Sequence, residues 1–245
     1  MSTNTTGDSA HTACAPLGNS DHLQERLAEA ACYAVLRRVA PVLRHDVAGF
    51  LQPVGMLMMV LQRRVEMPEP DLQAITKNVA SVSALAKEAT TGCMNAIGWI
   101  AAREDASVSL RSSVNEATTL LAMEFSDQGL EISNIISDNA AAVPQSFSRS
   151  VLVGALLAFC DQRTAGGILQ ISLDTEAGNT TAANRLTLRM LAGAMPDDPG
   201  LTEPPAIDRQ SRRIDWPDVE AMAGSFRVAV ARGEGWLAVD LPKVR

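Results

Sequence analysis

The feature that most limits what this chain can become is a pair of long apolar rhythms separated by one short break. Leu23, Leu27, Ala30, Ala31, Ala34 and Leu36 open the first; Leu43, Val47, Phe50, Leu51, Val54, Leu57, Met58, Leu61 and Val65 continue it. Steps of three and four residues place side chains on one face of an α-helix. Asp21 stands at the N-cap position, Pro41 predicts a kink or restart, and Pro53 with Gly55 predicts a second bend. Met67-Pro68-Glu69-Pro70 breaks the pattern, which resumes through Leu72, Ile75, Val79, Val82, Leu85, Ala89, Cys93, Ala96, Ile97 and Ile100. Two long helices around a short turn make an antiparallel hairpin over residues 21–104. One hairpin cannot bury faces this wide. Two copies closing into a four-helix bundle would, so a homodimer is expected.

Residues 1–20, rich in Ser, Thr, Asn and Gly, read as a disordered tail, and residues 105–245 follow a different rhythm from the hairpin. Ser112 or Ser113 can cap a helix over VNEATTLLAMEFSDQ that stops at Gly129. LEISNII alternates as a strand, and QSFSRSVLVGALLAFCDQ reads as a buried helix. GGILQISLD and RLTLRML are strands around a polar turn. A proline-rich loop from Met195 to Asp215 leads to a short helix at WPDVEAMAG and a closing hairpin. The chain is α+β, a helical hairpin followed by an α/β sandwich.

Composition narrows the function. A hydrophobic share of 47% supports a core, and the aromatic share of 4% leaves aliphatic and Met side chains to build it. A net charge of -7 argues against nucleic-acid binding. No apolar run reaches the ~18 residues of a membrane span, and the first residues lack the pattern of a signal peptide. Cys14, Cys32, Cys93 and Cys160 form no CxxC pair, so neither a zinc site nor a disulfide framework is indicated. A cytoplasmic protein is expected. Met56, Met58 and Met59 read as core filler, Cys160 as a packed thiol, and Asp197-Asp198 as turn residues. Arg63-Arg64, Arg209 and Arg212-Arg213 read as solvated faces.

His45 stands apart from His11 and His22, which lie at the polar N-terminal end. It falls within the first helical rhythm, with Asp46 beside it. Imidazole offers a neutral nucleophilic nitrogen near neutral pH, and an adjacent carboxylate can orient the ring or exchange a proton with it. Taken alone, such a histidine is also consistent with an ordinary solvated residue.

The order of elements, with His45-Asp46-Val47 on the first helix and Leu51-Gln52-Pro53-Val54 after it, resembles the core of the sensor histidine kinases. So does the closing stretch VEAMAGSFRVAVARGEGWLAVDLP. The resemblance covers roughly residues 25–243. It implies a dimerization and phosphotransfer hairpin followed by an ATPase-like domain.

Within that resemblance the nucleotide signatures are absent. The family's metal-holding Asn, eight residues before a Gly pair, falls on Ala158 when counted back from Gly166-Gly167. Its adenine-reading Asp-x-Gly-x-Gly box falls on Met190-Leu191-Ala192-Gly193-Ala194, where Met offers adenine no acceptor and Ala adds a methyl. No Gly-x-Gly-Leu-Gly lies in the linker. A degenerate kinase scaffold that keeps its histidine resembles the histidine phosphotransferases. That implies His45 as phosphoryl acceptor, Asp46 as the orienting acid or general base, and receiver domains as partners that supply Mg²⁺ themselves. No ATP and no other cofactor is expected. Arg44, Gly49, Phe50 and Gln52 are the implied partner contacts. The alternatives are a dimeric scaffold that binds and regulates a receiver or kinase without transfer, and an active histidine kinase.

Overall fold

A computed structural model describes residues 18–100, 106–138, 141–162, 166–174, 184–191 and 212–242. Helix α1 spans Gly18–Val65 and α2 spans Leu72–Ile100. The breaker between them behaves as its sequence demands, and the Asp71 carboxylate accepts the Ala74 N–H at 3.0 Å to start α2. The expected restart at Pro41 does not occur: α1 is one helix containing both Pro41 and Pro53. Packing along both sides of Pro41, from Val39 to Val42, holds the turn that a missing hydrogen bond would loosen.

Beyond the hairpin come β1 (Ser107–Ser109), α3 (Leu110–Leu120), α4 (Ala122–Asp127), β2 (Leu130–Asn134) and β3 (Ala142–Pro144). A continuous helical run follows: α5 (Gln145–Phe147), a π-helical segment (Ser148–Leu152) and α6 (Val153–Gln162). Then come β4 (Gly167–Asp174), β5 (Arg185–Leu191), α7 (Trp216–Ser225), β6 (Val230–Gly233) and β7 (Trp236–Asp240). The α+β expectation holds. Ser109, rather than Ser112 or Ser113, precedes α3; Ser113 is buried on its inner face. The small antiparallel pair β1–β3 has no counterpart in the sequence reading, being only three residues long on each side.

The main sheet has the order β2-β4-β5-β7-β6. β2 runs parallel to β4, the other pairs are antiparallel, and the run α5–α6 lies in the crossover that a parallel pair requires. Ile171, Leu188 and Leu237 stand opposite one another across three strands, all fully buried. They meet Val151, Leu152, Ala155, Leu156 and Phe159 from the crossover and Val219, Met222 and Ala223 from α7 in one core. That core does not stop at the α/β layer. Ala31, Ala34, Val35 and Val39 of α1 belong to it, with Val42, Leu43 and Trp99 packed at its edge. Gly154 on α6 has no room for a Cβ between Met222 and Val35, so its missing side chain sets how closely α1, α6 and α7 approach.

The outer faces of the hairpin are apolar and uncovered. Leu51, Met59 and Val65 on α1, and Leu72, Val79 and Ile97 on α2, are each at least half exposed. Met56, Met58 and Met59, expected as core filler, project from this surface, because Val54, Leu57 and Leu61 take the half-buried positions towards α2. The expected turn Asp197-Asp198, Arg209, Cys14, His11 and nearly all of the N-terminal tail lie outside the described residues.

Candidate functional site

His45 owes its position to where the buried stripe of α1 ends. Ala28, Ala31, Val35, Arg38 and Val42 recur at helical steps and face the α/β layer. The next positions on that stripe are His45 and Gly49, and both are exposed. The imidazole side chain is 87% exposed, and Asp46, half exposed, brings Oδ1 to 3.5 Å from Nδ1. That separation exceeds an ordinary hydrogen bond. Asp46 lies on the Nδ1 side of the ring, with the Nε2 edge on the other side.

The surroundings are open. Nothing lies within 4 Å of the position a Cβ would take on Gly49. Pro53 has no N–H to donate back to the Gly49 carbonyl, so this acceptor one turn after His45 lacks its usual helical partner. Arg44 and Gln52 are exposed on either side of the site. Phe50 is placed differently, half-buried with its ring against Gly92 of α2, where a Cβ would collide with it. Of the sequence-derived contacts, Arg44, Gly49 and Gln52 share the open surface with His45, and Phe50 sits in the hairpin seam.

Two charge clusters that sequence reasoning missed tie the hairpin to the α/β layer. Arg38, one heptad before His45, donates from Nε and Nη2 to both carboxylate oxygens of Glu124 on α4, at 2.6 and 2.7 Å. Its Nη2 also donates to Asp161 at the end of α6, at 3.1 Å. Burial disfavours the charge on Arg38, but Glu124 and Asp161 outweigh it and hold the guanidinium above its ordinary range. Asp161 accepts the Ile214 N–H at 2.9 Å as well. On the α2 side, Arg149 of the π-helical segment lies 4.9 Å over the Trp99 ring and pairs with Glu116 of α3 at 3.2 Å. No local pattern reveals these ties, since Arg38 and Asp161 are 123 residues apart.

Ala158, which the resemblance sets where a metal-holding Asn would stand, is fully buried in the α6 core. Met190 packs partly against the core, while residues 192–194 of the same box lie outside the described residues. Burial pushes the Cys32 thiol up, away from an activated nucleophile, and Cys160 is buried in the α6 core. Among the described residues no group of three or more His, Cys, Asp and Glu side chains could hold a metal, and no helix is long and apolar enough to cross a membrane.

No protein-family model matches the chain, and no curated protein does. Among solved structures it is similar to the histidine kinase AdeS of Acinetobacter baumannii, at 12% identity and a TM-score of 0.40 over 76% of this chain and 94% of that one. It is also similar to a bacterial phosphotransferase, at 14% identity and a TM-score of 0.32 over 84% and 94%. A third likeness is to the histidine kinase ThkA in complex with the response regulator protein TrrA, at 11% and 0.40 over 91% and 66%. Superpositions this loose fix no function.

Proposed function

We propose that this chain is a cytoplasmic phosphorelay protein that accepts a phosphoryl group on His45 from one receiver domain and hands it to another, without binding ATP. The observation that carries this reading is an imidazole exposed to 87% of its surface, with a carboxylate at its Nδ1 edge, at the middle of a long helical hairpin. The His45-Asp46-Val47 motif and the order of elements supply the chemistry to be expected there.

In the forward step, Nε2 of neutral His45 attacks the phosphorus of the donor's aspartyl phosphate. The P–N bond forms as the P–O bond to the aspartate breaks, and the donor regains its carboxylate. Positive charge builds on the ring, and Asp46 lies where it attracts that charge. The return step to a second receiver's aspartate reverses these bonds. The receiver supplies Mg²⁺ and most of the charge stabilisation. Arg44 offsets phosphate charge, and Gly49 leaves room for the visiting domain's backbone and offers no side chain to position a hydrolytic water. Gln52 adds a polar contact, while Phe50 sets the surface from beneath. The exposed apolar faces of the hairpin support a homodimer closed as a four-helix bundle. Neither nucleic acid nor membrane enters this scheme.

The test is a transfer assay. Radiolabelled phosphorylated receivers from the source organism are mixed with the full chain, and acid-labile label is followed on both proteins. Label on the wild-type chain and none on His45→Ala supports the relay. Binding without transfer would make the chain a regulatory scaffold, and label taken directly from ATP would make it a kinase.

A further inference from the structure

Arg38 and His45 are seven residues apart on one unbroken helix. Seven residues turn an α-helix to within about 20° of two full revolutions and advance it by about 10 Å. The two side chains therefore leave α1 on the same side. Arg38 points into the α/β layer, 4% exposed, and His45 points into solvent just past that layer's edge. Whatever holds Arg38 fixes how far the layer stands from His45.

We propose that Arg38, Glu124 and Asp161 form a latch that holds the α/β layer at one station on α1, so that hairpin and layer act as one rigid body. Three charge-assisted hydrogen bonds join α1 to two separate helices of the layer. Asp161 carries the fixation further, to the backbone of Ile214 at the entry to α7. The Arg149–Trp99 stack forms a second point of attachment on the α2 side. Two attachments on two helices resist rotation as well as sliding. With the latch open, only the apolar packing of Ala31, Val35 and Val39 and the Trp99 contact would remain, and the layer would loosen relative to His45. With it closed, a visiting protein meets an α1 floor and a fixed side wall, and the layer itself cannot reach His45. This holds whether or not His45 carries phosphate.

Spin labels at Ala48→Cys and Glu131→Cys, both on exposed positions, report the separation of hairpin and layer in the full chain. Cys14, Cys32 and Cys93 are replaced by serine, and the labelled chain is diluted with unlabelled chain to remove signals between copies. Pulsed electron resonance is expected to give one narrow distance distribution for the otherwise native protein. Removing Arg38 alone would take a cation away from the buried Asp161 and the partly exposed Glu124 and endanger folding. The principal variant is therefore the neutral triple Arg38→Met, Glu124→Gln, Asp161→Asn, whose new side-chain amide keeps a carbonyl oxygen to accept the Ile214 N–H. Its distribution should at least double in width with helix content unchanged. The milder Glu124→Gln, which keeps the Arg38–Asp161 contact, should broaden it by a smaller amount and serves alone if the triple variant does not fold. A native-width distribution in a folded latch variant, or a broad one in the otherwise native protein, would overturn the latch.

Discussion

At the scale of single residues, the seam beneath His45 depends on one missing side chain. The Phe50 ring occupies the space a Cβ on Gly92 would need, so Gly92→Ala forces ring and helix apart. Overpacking of this kind costs about 1–3 kcal/mol, and the urea midpoint of Gly92→Ala should fall accordingly. Adding Phe50→Leu should recover a large part of the loss, because the two side chains share one space. Unchanged stability in the single variant would show that the helices part without cost. The same residues mark what a sequence can disclose. His45 is legible because it is the one histidine inside the apolar rhythm, with an acid beside it. Phe50 reads both as a member of the apolar face and, through the resemblance, as a partner contact; its packing against Gly92 on the other helix turns it inward. Arg38 looks in sequence like an ordinary member of a charged pair with Arg37, since its partners at 124 and 161 carry no local signal.

Among the elements, those with a full period of alternation or helical spacing are readable, and those too short to show one are not. Leu169 and Ile171, then Leu186 and Leu188, announce β4 and β5, whereas β1 and β3 have three residues each. The hairpin itself carries a test of partnership. Leu51 and Val79 lie on the uncovered faces of α1 and α2, and burying a charge at either would oppose association. The native chain should sediment at twice its 26.0 kDa mass, while Leu51→Glu with Val79→Glu should weaken self-association by roughly tenfold or more. A native monomer at micromolar concentration would remove the bundle from the scheme. At the other end of the chain, Asp218 ties down the start of α7. It accepts the Asp215 N–H at 3.0 Å and both branches of the Arg212 guanidinium at 2.7 Å. Burial tends to raise its pKa, but Arg212 and the Asp215 amide prevail and hold it below the ordinary 3.8. A depressed carboxylate contributes stability that is present above the unfolded pKa and is lost as pH falls through the folded one. Asp218→Asn should therefore destabilise the protein at pH 7, by less than about 1 kcal/mol because its partner Arg212 is exposed to solvent. The gap between variant and native urea midpoints should close as the pH is lowered below 3.8. A gap of constant size down to acid pH would count against the charge and leave only the loss of shape.

For the molecule as a whole, the hairpin and the α/β layer are distinguishable by pattern yet share their interior. The change of rhythm near residue 105 invites division there, but Ala31, Val35 and Val39 pack with Leu156 and Met222 in one core. A chain beginning at residue 106 would lose those side chains and, with Arg38, the cation that faces Asp161. Taking that cation away from the buried Asp161 costs stability, and the apolar face uncovered on α6 and α7, where Ala31, Val35 and Val39 had packed, adds to that loss. A domain's entire stability is about 5–15 kcal/mol, so these terms are enough to remove cooperative folding. The fragment spanning residues 106–245 should bind an apolar dye, keep much of its far-ultraviolet circular dichroism and lose its near-ultraviolet bands. Adding a peptide of residues 18–45 should restore the near-ultraviolet signal, and the same peptide with Arg38→Ala should restore less of it. A fragment that unfolds sharply and ignores the peptide would mean that the layer is self-sufficient and α1 merely rests on it. The two outcomes differ in what α1 is for. In the first, the helix that bears His45 is also a structural member of the layer beside it, and a force on either is felt by the other.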